Sequence, residues 1–271
     1  MENWGGDHTK IKLQVLLDYC TAYNKVMQNQ TYFNLYYIDC FAGKGTVRTK
    51  SNEQFDGSAK LLLDSNFNFK KYYFFEKDKD NFRSLNNLIE ASNKDAVCYN
   101  GDANILLPKI IDDTHETSAR YLIFIDPYGL NQYFETFQKI SEKAKFDILY
   151  LFNVRGAERS LAISEEKIVE LHEQCLQKII GSKKYRNLYT ESPQQDLFKE
   201  KPEIIRNHNI GNQLVQLYLR ELGKLFSYCT SICQLRGKGN AFELIYILNN
   251  DSQQAKSAAK RITDSLKKKY S

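Results

Sequence analysis

The chain is poor in glycine and proline, with 13 and 4 in 271 residues, and has a single Trp. Collagen-like and low-complexity sequences are thereby excluded, because they need those residues in bulk. No apolar run approaches the roughly 20 residues that cross a bilayer, so no membrane-spanning helix is expected. The first ten residues, Met1 to Lys10, lack a basic stretch followed by an apolar one. Secretion is therefore not expected, and the setting read from the sequence is reducing cytoplasm. Six cysteines, Cys20, Cys40, Cys98, Cys175, Cys229 and Cys233, sit among apolar and aromatic neighbours. The closest two are spaced C-x-x-x-C without ligands near them, which reads as free thiols and not as a metal site. His8, His115, His172 and His208 are too dispersed for an H-E-x-x-H motif, and no G-x-S-x-G elbow is present, so zinc and serine-hydrolase chemistry lack support. The charge is nearly balanced: 38 basic against 33 acidic residues give +5, compatible with an anionic partner without establishing one.

The hydrophobic content of 42% is ample for a sizeable core. Apolar positions from Lys10 to Gln28 fall at helical spacing and predict an amphipathic opening helix. Five continuous aromatic and branched runs follow: Tyr32 to Asp39, Tyr72 to Glu76, a short one around Val97 to Tyr99, Tyr121 to Asp126, and Phe146 to Phe152. Helical spacing recurs between them, at Gly57 to Leu63, Lys79 to Glu90 and Gln132 to Lys143. Apolar strands alternating with helices predict a mostly parallel sheet covered on both faces. Glu165 to Ile180 reads as a polar helix and Gly181 to Lys201 as an aperiodic insertion or mobile flank. A helix over Asn212 to Leu225 precedes two more strands, Phe226 to Leu235 and Phe242 to Asn249, expected to close the sheet as an antiparallel pair. The last helix ends in Lys267, Lys268 and Lys269, read as a solvated terminus suited to the helix dipole.

In an open parallel sheet ligands sit beyond the carboxyl ends of the strands, so polar residues that end apolar runs are the candidate site. Four such ends carry acids. Asp39 opens D-x-F-x-G-x-G, with Phe41 and two glycines, Gly43 and Gly45, that permit a tight turn and close approach of a ligand to backbone amides. The spacing fits neither the full dinucleotide nor the P-loop fingerprint, and a glycine turn alone is equally an ordinary turn. Glu76 ends the next strand, where a carboxylate can accept both hydroxyls of a ribose. Asp102, after Gly101, can accept an adenine amine hydrogen. Taken in order, these contacts serve methionine polar groups, ribose and adenine, which describes S-adenosylmethionine better than a nicotinamide dinucleotide. At the fourth end, Asp126-Pro127-Tyr128-Gly129 joins an acid to a proline-constrained turn and an aromatic ring. Such a turn can stack a planar base and accept hydrogen bonds from its amine. Gly57 and Ser58 precede a helix and either flank the ligand or cap that helix. Lys10, Lys44, Arg48, Arg155 and Arg159 are candidate phosphate contacts, while most of the 18 Tyr and 16 Phe belong to the core.

The order YIDCFAGKG, DGSAKLLL, YYFFEKDKDNF, YNGDANILLPKI, FIDPYGL and DILYLFNV resembles the three-Cys-motif partner family, TcmP, from about Thr9 to Arg159 and more weakly in Phe242 to Leu248 and the final helix. That resemblance implies a Rossmann-like class I methyltransferase fold: α/β, with a mostly parallel seven-stranded sheet, an antiparallel C-terminal strand and a helical insertion. The chain is read as an N-terminal helical segment over 1–30, a Rossmann-like cofactor-binding core over 31–160, a helical or loop insertion or lid over 161–210 and C-terminal completion of the core over 211–271. The family's motifs fall on Asp39, Phe41, Gly43, Gly45, Glu76 and Asp102 for S-adenosylmethionine, and on Asp126, Pro127 and Tyr128 for catalysis, with no metal. Lys44 stands where many members carry proline, and Phe152-Asn153-Val154-Arg155 departs from their usual Asn-Phe order. The Asp126 motif is similar to the Asp-Pro-Pro-Tyr of base-amine methyltransferases and to the Asp-Pro-Phe-Gly of tRNA guanine-N2 methyltransferases. The leading expectation is methyl transfer to an exocyclic amine of a base in DNA or RNA. Two others stand beside it. One is a cofactor-binding partner subunit of a Gp37/Gp68-like three-cysteine protein; the other is a nuclease holding divalent metals on Asp39, Glu76, Asp102 and Asp126.

Overall fold

A computed structural model describes residues 7–48, 54–114, 116–162, 169–191, 204–207, 209–237 and 239–270. In chain order its first half contains α1 (Asp7–Met27), β1 (Asn34–Asp39), β2 (Thr46–Arg48), β3 (Gln54–Asp56), α2 (Ser58–Leu63), β4 (Lys71–Glu76), α3 (Lys79–Glu90), β5 (Ala96–Asn100) and α4 (Ala103–Asp113). The second half contains β6 (Ala119–Ile125), α5 (Phe134–Ser141), β7 (Phe146–Phe152), α6 (Val154–Ser160), α7 (Glu170–Ile180), β8 (Tyr189–Glu191), β9 (Ile204–Arg206), α8 (Ile210–Leu222), β10 (Tyr228–Gly237), β11 (Asn240–Asn249) and α9 (Gln253–Tyr270).

Seven strands form one sheet in the order β10-β11-β7-β6-β1-β4-β5. Pairings among β7, β6, β1, β4 and β5 are parallel, while β11 runs antiparallel to both β7 and β10. The expected mostly parallel sheet with a reversed C-terminal strand is thus present. Its strands are apolar on both faces because both are covered. Along β1, Tyr36 and Ile38 enter a core shared with α4, α5, α7 and α8, whereas Leu35 and Tyr37 enter a second core against α1, α2 and α9. Eight tyrosines, among them Tyr19, Tyr37, Tyr150 and Tyr246, are fully buried. Each contributes roughly 2–3 kcal/mol of apolar burial, and buried hydroxyls then need partners. Tyr19 and Tyr246 both donate to Asp147 of β7, the former at 2.6 Å, which ties α1 to the sheet.

The chain passes from β1 to β4 on one side and returns to β6 on the other, so strand order reverses around β1. This reversal opens the crevice in which doubly wound sheets take ligands. Boundaries shift where local chemistry overrides the apolar run. Tyr32 is 71% exposed and lies in the turn before β1, so the strand begins two residues late. Likewise Phe226 precedes β10 and packs into the core instead of pairing. The small β2–β3 hairpin was not expected; its half-exposed three-residue strands carry no apolar pattern. Of the polar helix expected over 165–180, α7 supplies Glu170–Ile180, and 163–168 lie outside the described residues. Gly181 to Glu191 is not the aperiodic flank expected, because it holds a short 3-10 turn, Lys184–Leu188, whose Tyr185 is fully buried. The rest of that expected flank, 192–201, lies outside the described residues, as do His115 and His208. All six cysteines are free thiols, four of them buried. At the end of α9, Lys269 pairs with Asp18 of α1 at 2.5 Å, so the lysine run is partly engaged in packing the terminal helix. No helix among the described residues is long and apolar enough to cross a membrane.

Candidate functional site

Asp39 and Glu76 end β1 and β4, Asp126 directly follows β6 and Asp102 lies two residues past β5, so four parallel neighbours deliver them to the same edge of the sheet. Asp39 is fully buried. Its Oδ1 accepts the Phe41 amide at 3.2 Å and the Ser58 hydroxyl also reaches the carboxylate, while Oδ2 has no partner. Burial pushes this carboxyl up from an ordinary 3.8 to about 7; Asp126 adds to the rise, while Ser58, the Phe41 amide and Lys12 oppose it. Ser58 therefore does more than begin α2, and Gly57, whose N–H donates to the Gly45 carbonyl at 2.8 Å, locks that helix to the glycine turn.

The two glycines of the turn differ. Gly43 has φ +62° and open space where a Cβ would be, so its backbone faces the crevice. Gly45 has φ +84°, and a Cβ there would lie 2.3 Å from Leu88 Cδ1. The close approach at Gly45 is to the core of α3, a correction to the expectation that both glycines make room for a ligand. Phe41 is half-buried against the core on the α4 face.

Glu76 accepts the Asp78 amide at 2.7 Å. Burial pushes its carboxyl above the usual range, against the backbone N–H groups of Asp78, Gly43 and Lys77 that hold it down. One carboxylate thus clamps the glycine turn to the end of β4. Asp102 caps α4: its Oδ1 accepts the Asn104 amide at 2.9 Å, and Oδ2 takes Lys77 at 3.2 Å. Burial opposes its ionisation, but the bonds from Asn104 and Lys77 hold the carboxyl below the usual range. The Lys77 side chain is 78% exposed, so this pair is screened and readily exchanged.

Asp126 lies one residue past β6, Pro127 is buried behind it, and Tyr128 is 59% exposed. Gly129, at φ +66°, lets the chain turn back. Three residues position this loop or its acid without having been singled out for that in the sequence. Lys12 of α1 forms an ion pair with Asp126 Oδ2. Asn104 donates to the Asn131 carbonyl at 2.7 Å and accepts from the Tyr133 amide and the Thr136 hydroxyl at 2.9 and 2.7 Å. Asn153 donates to the Gly129 carbonyl at 3.3 Å while capping α6. Of the candidate phosphate contacts, Arg155 pairs with Glu158, Lys10 lies 5.7 Å from the centre of the Phe55 ring, and Lys44, Arg48 and Arg159 are exposed. Among the described residues no three His, Cys, Asp or Glu side chains gather into a metal-binding group, so the strand-end acids do not converge as a two-metal site needs.

No family model matches the chain, and no curated protein sequence matches it. Among solved structures, a Legionella pneumophila protein of the DUF519 family is similar at 12% identity and a TM-score of 0.51, over 90% of this chain and 88% of that one. The strand order, with β11 reversed, is what makes the fold Rossmann-like, with the sheet arrangement of class I methyltransferases. A putative O-methyltransferase from Klebsiella pneumoniae is more distantly similar, at 10% identity and a TM-score of 0.42 over 90% of both chains. The spermidine synthase of Thermotoga maritima, at 9% identity and 0.38, is matched by 81% of this chain over 55% of its own length. The Legionella likeness, at 12% identity, shows a shared fold and leaves chemistry to the site itself.

Proposed function

We propose that this protein is an S-adenosylmethionine-dependent methyltransferase acting on an exocyclic amine of a nucleic-acid base. The observation that carries the reading is the unpartnered, buried Oδ2 of Asp39 beside the open Gly43 turn, at the point where strand order reverses. A buried carboxylate oxygen without a partner is costly, and an ammonium group on the ligand would satisfy it. The residues fit the cofactor: Asp39 and the turn through Phe41 and Gly43, anchored on α3 at Gly45, would hold its methionine end, Glu76 its ribose hydroxyls, and Asp102 its adenine amine in exchange for Lys77.

S-adenosylmethionine supplies an electrophilic methyl group on a sulfonium. The protein's part is to bring a nitrogen lone pair into line with it. Asp126 and the carbonyl after it would accept the amine hydrogens, and Tyr128 would stack on the base. Held in this way, the nitrogen gains much of the roughly 7–11 kcal/mol that orientation can supply. The proton released from nitrogen passes to Asp126 or to water.

The Lys12–Asp126 ion pair favours a second reading, in line with the resemblance to the TcmP family. In that reading the chain binds the cofactor but has its acceptor carboxylate masked until a partner, a three-cysteine Gp37/Gp68-like protein, binds. Calorimetry with S-adenosylmethionine and S-adenosylhomocysteine tests the cofactor site, with weakened binding expected for Glu76→Ala and Asp102→Ala. An Asp126→Ala variant should keep cofactor binding and lose methyl transfer to DNA or RNA. Unchanged turnover would sink the assignment of Asp126, and turnover seen only with the partner present would select the second reading.

A further inference from the structure

A cavity of about 360 Å³ opens beside the proposed acceptor loop, between α6, the start of α8 and the β10–β11 turn. Its chemistry is unlike that of an apolar ligand pocket. Glu243 of β11 lines it and is 3% exposed; its Oε1 accepts the Ser231 hydroxyl and the Gln234 amide also reaches the carboxylate, while Oε2 has no partner. Above it runs a chain of polar side chains at the cavity wall. Arg236 donates to Gln234 Oε1 at 2.8 Å, and Gln234 donates to Asn212 Oδ1 at 3.1 Å. Arg236 is exposed at the rim, where Arg155 is paired with Glu158, also a lining residue, at 2.9 Å.

A buried carboxylate oxygen without a partner calls for N–H donors, and Arg236 at the rim calls for an anion, which Arg155 can join in exchange for Glu158. A basic side chain would satisfy the floor but be repelled at the rim. A nucleotide satisfies both, with its base edge inward and its phosphate outward. Guanine fits best because its ring N–H and its amine lie side by side on one edge, so both can point at one carboxylate. The terminal torsion of a glutamate is soft, so a small rotation turns Oε2 into the cavity.

We infer that this cavity is a base-recognition subsite that takes a guanine nucleotide through Glu243, with Gln234 and Asn212 completing the base contacts and Arg155 and Arg236 the phosphate contacts. The target amine would be held elsewhere. Asp126 follows β6, and β7 lies between β6 and β11, which places the cavity floor about 10 Å from the acceptor loop at a strand spacing of about 4.8 Å. A guanine there is a neighbour of the methylated base in the same strand, so the subsite would set sequence context. This assignment deepens the proposed function and rests on it for the role of the guanine, though not for its binding.

The test titrates the full chain with 5′-GMP, AMP, CMP and UMP, with guanosine lacking phosphate, and with agmatine as a guanidinium without an anion. Expected is binding of 5′-GMP at least tenfold tighter than of UMP or agmatine and several-fold tighter than of guanosine. Glu243→Gln should lose about tenfold for 5′-GMP and Asn212→Ala several-fold, with S-adenosylhomocysteine binding unchanged and the Glu243→Gln thermal midpoint not lowered. Equal affinity for all nucleotides, agmatine binding tighter than 5′-GMP, or no effect of either variant would overturn the subsite. Loss of S-adenosylhomocysteine binding by the wild type, with selectivity for 5′-GMP intact, would instead overturn the methyltransferase reading alone.

Discussion

Replacing Asp39 by Asn should stabilise the protein, and only above acidic pH. The carboxyl titrates near 7 when folded against 3.8 ordinarily, because burial disfavours its charge. A raised carboxyl means that the folded state holds the proton over a range in which the unfolded chain has released it. Stability is therefore complete below the ordinary value and falls as pH rises, until the folded group ionises as well. The full loss is the difference of 3.2 pH units between these values, or on the order of 4 kcal/mol at about 1.4 kcal/mol per unit. Asn cannot ionise but keeps an oxygen for the Phe41 amide, so the variant escapes the loss. Its advantage should grow by about 3 kcal/mol between pH 5 and pH 8, roughly 5 °C in thermal midpoint for a chain of this size. Thermal and urea unfolding of both proteins at the two pH values measures this directly. A variant no more stable than wild type at pH 8, or one with the same advantage at both pH values, would refute the buried, unpaired state of this carboxylate. The same variant should bind S-adenosylmethionine more weakly, because its amide offers an ammonium no negative charge.

The remaining predictions separate packing from ligand contact. Gly45→Ala places a methyl 2.3 Å from Leu88 Cδ1 at a left-handed backbone position, and should destabilise by about 2–4 kcal/mol in urea unfolding. Gly43→Ala meets open space, so only the left-handed strain remains, about 1–2 kcal/mol, while calorimetry should show the larger loss of cofactor affinity. Asn104→Ala removes two bonds to the loop after Asp126 and one to α5, leaving the buried Thr136 hydroxyl without its Asn104 acceptor. It should cost about 2–4 kcal/mol by urea unfolding and lower kcat more than cofactor affinity.

The strands of the sheet were legible because continuous apolar runs such as Tyr121 to Ile125 have few alternatives once turns bound them. The strand-end acids were legible for the same reason, since each interrupts such a run. The supports of the site were not. Lys12 looks like any surface lysine of an amphipathic helix, and its meaning depends on α1 reaching a residue 114 positions away. Asn104 sits two residues after a cap, where an asparagine is unremarked until its other partners are known. Gly43 and Gly45 look alike in sequence and are told apart only by what packs beside them. Glu243 did leave a signal, a lone carboxylate within the apolar run Phe242 to Leu248. Charged residues in such a run are seldom buried without a partner.

Asp39 and Glu243 share a property that the other acids of this edge lack. Glu76 and Asp102 are satisfied by backbone N–H groups, and Asp126 by Lys12. Asp39 and Glu243 each have one oxygen bonded within the fold and one without a partner, and burial pushes both carboxyls up. They stand on β1 and β11, with β6 and the Asp126 loop between them. Packing alone would favour an amide or an apolar side chain at either position. A fold that carries this unfavourable pairing on both sides of one loop places its instability where ligands can relieve it. An ammonium at one position and a base edge at the other would bring the missing donors, and each would fix one flank of the loop that orients the acceptor amine.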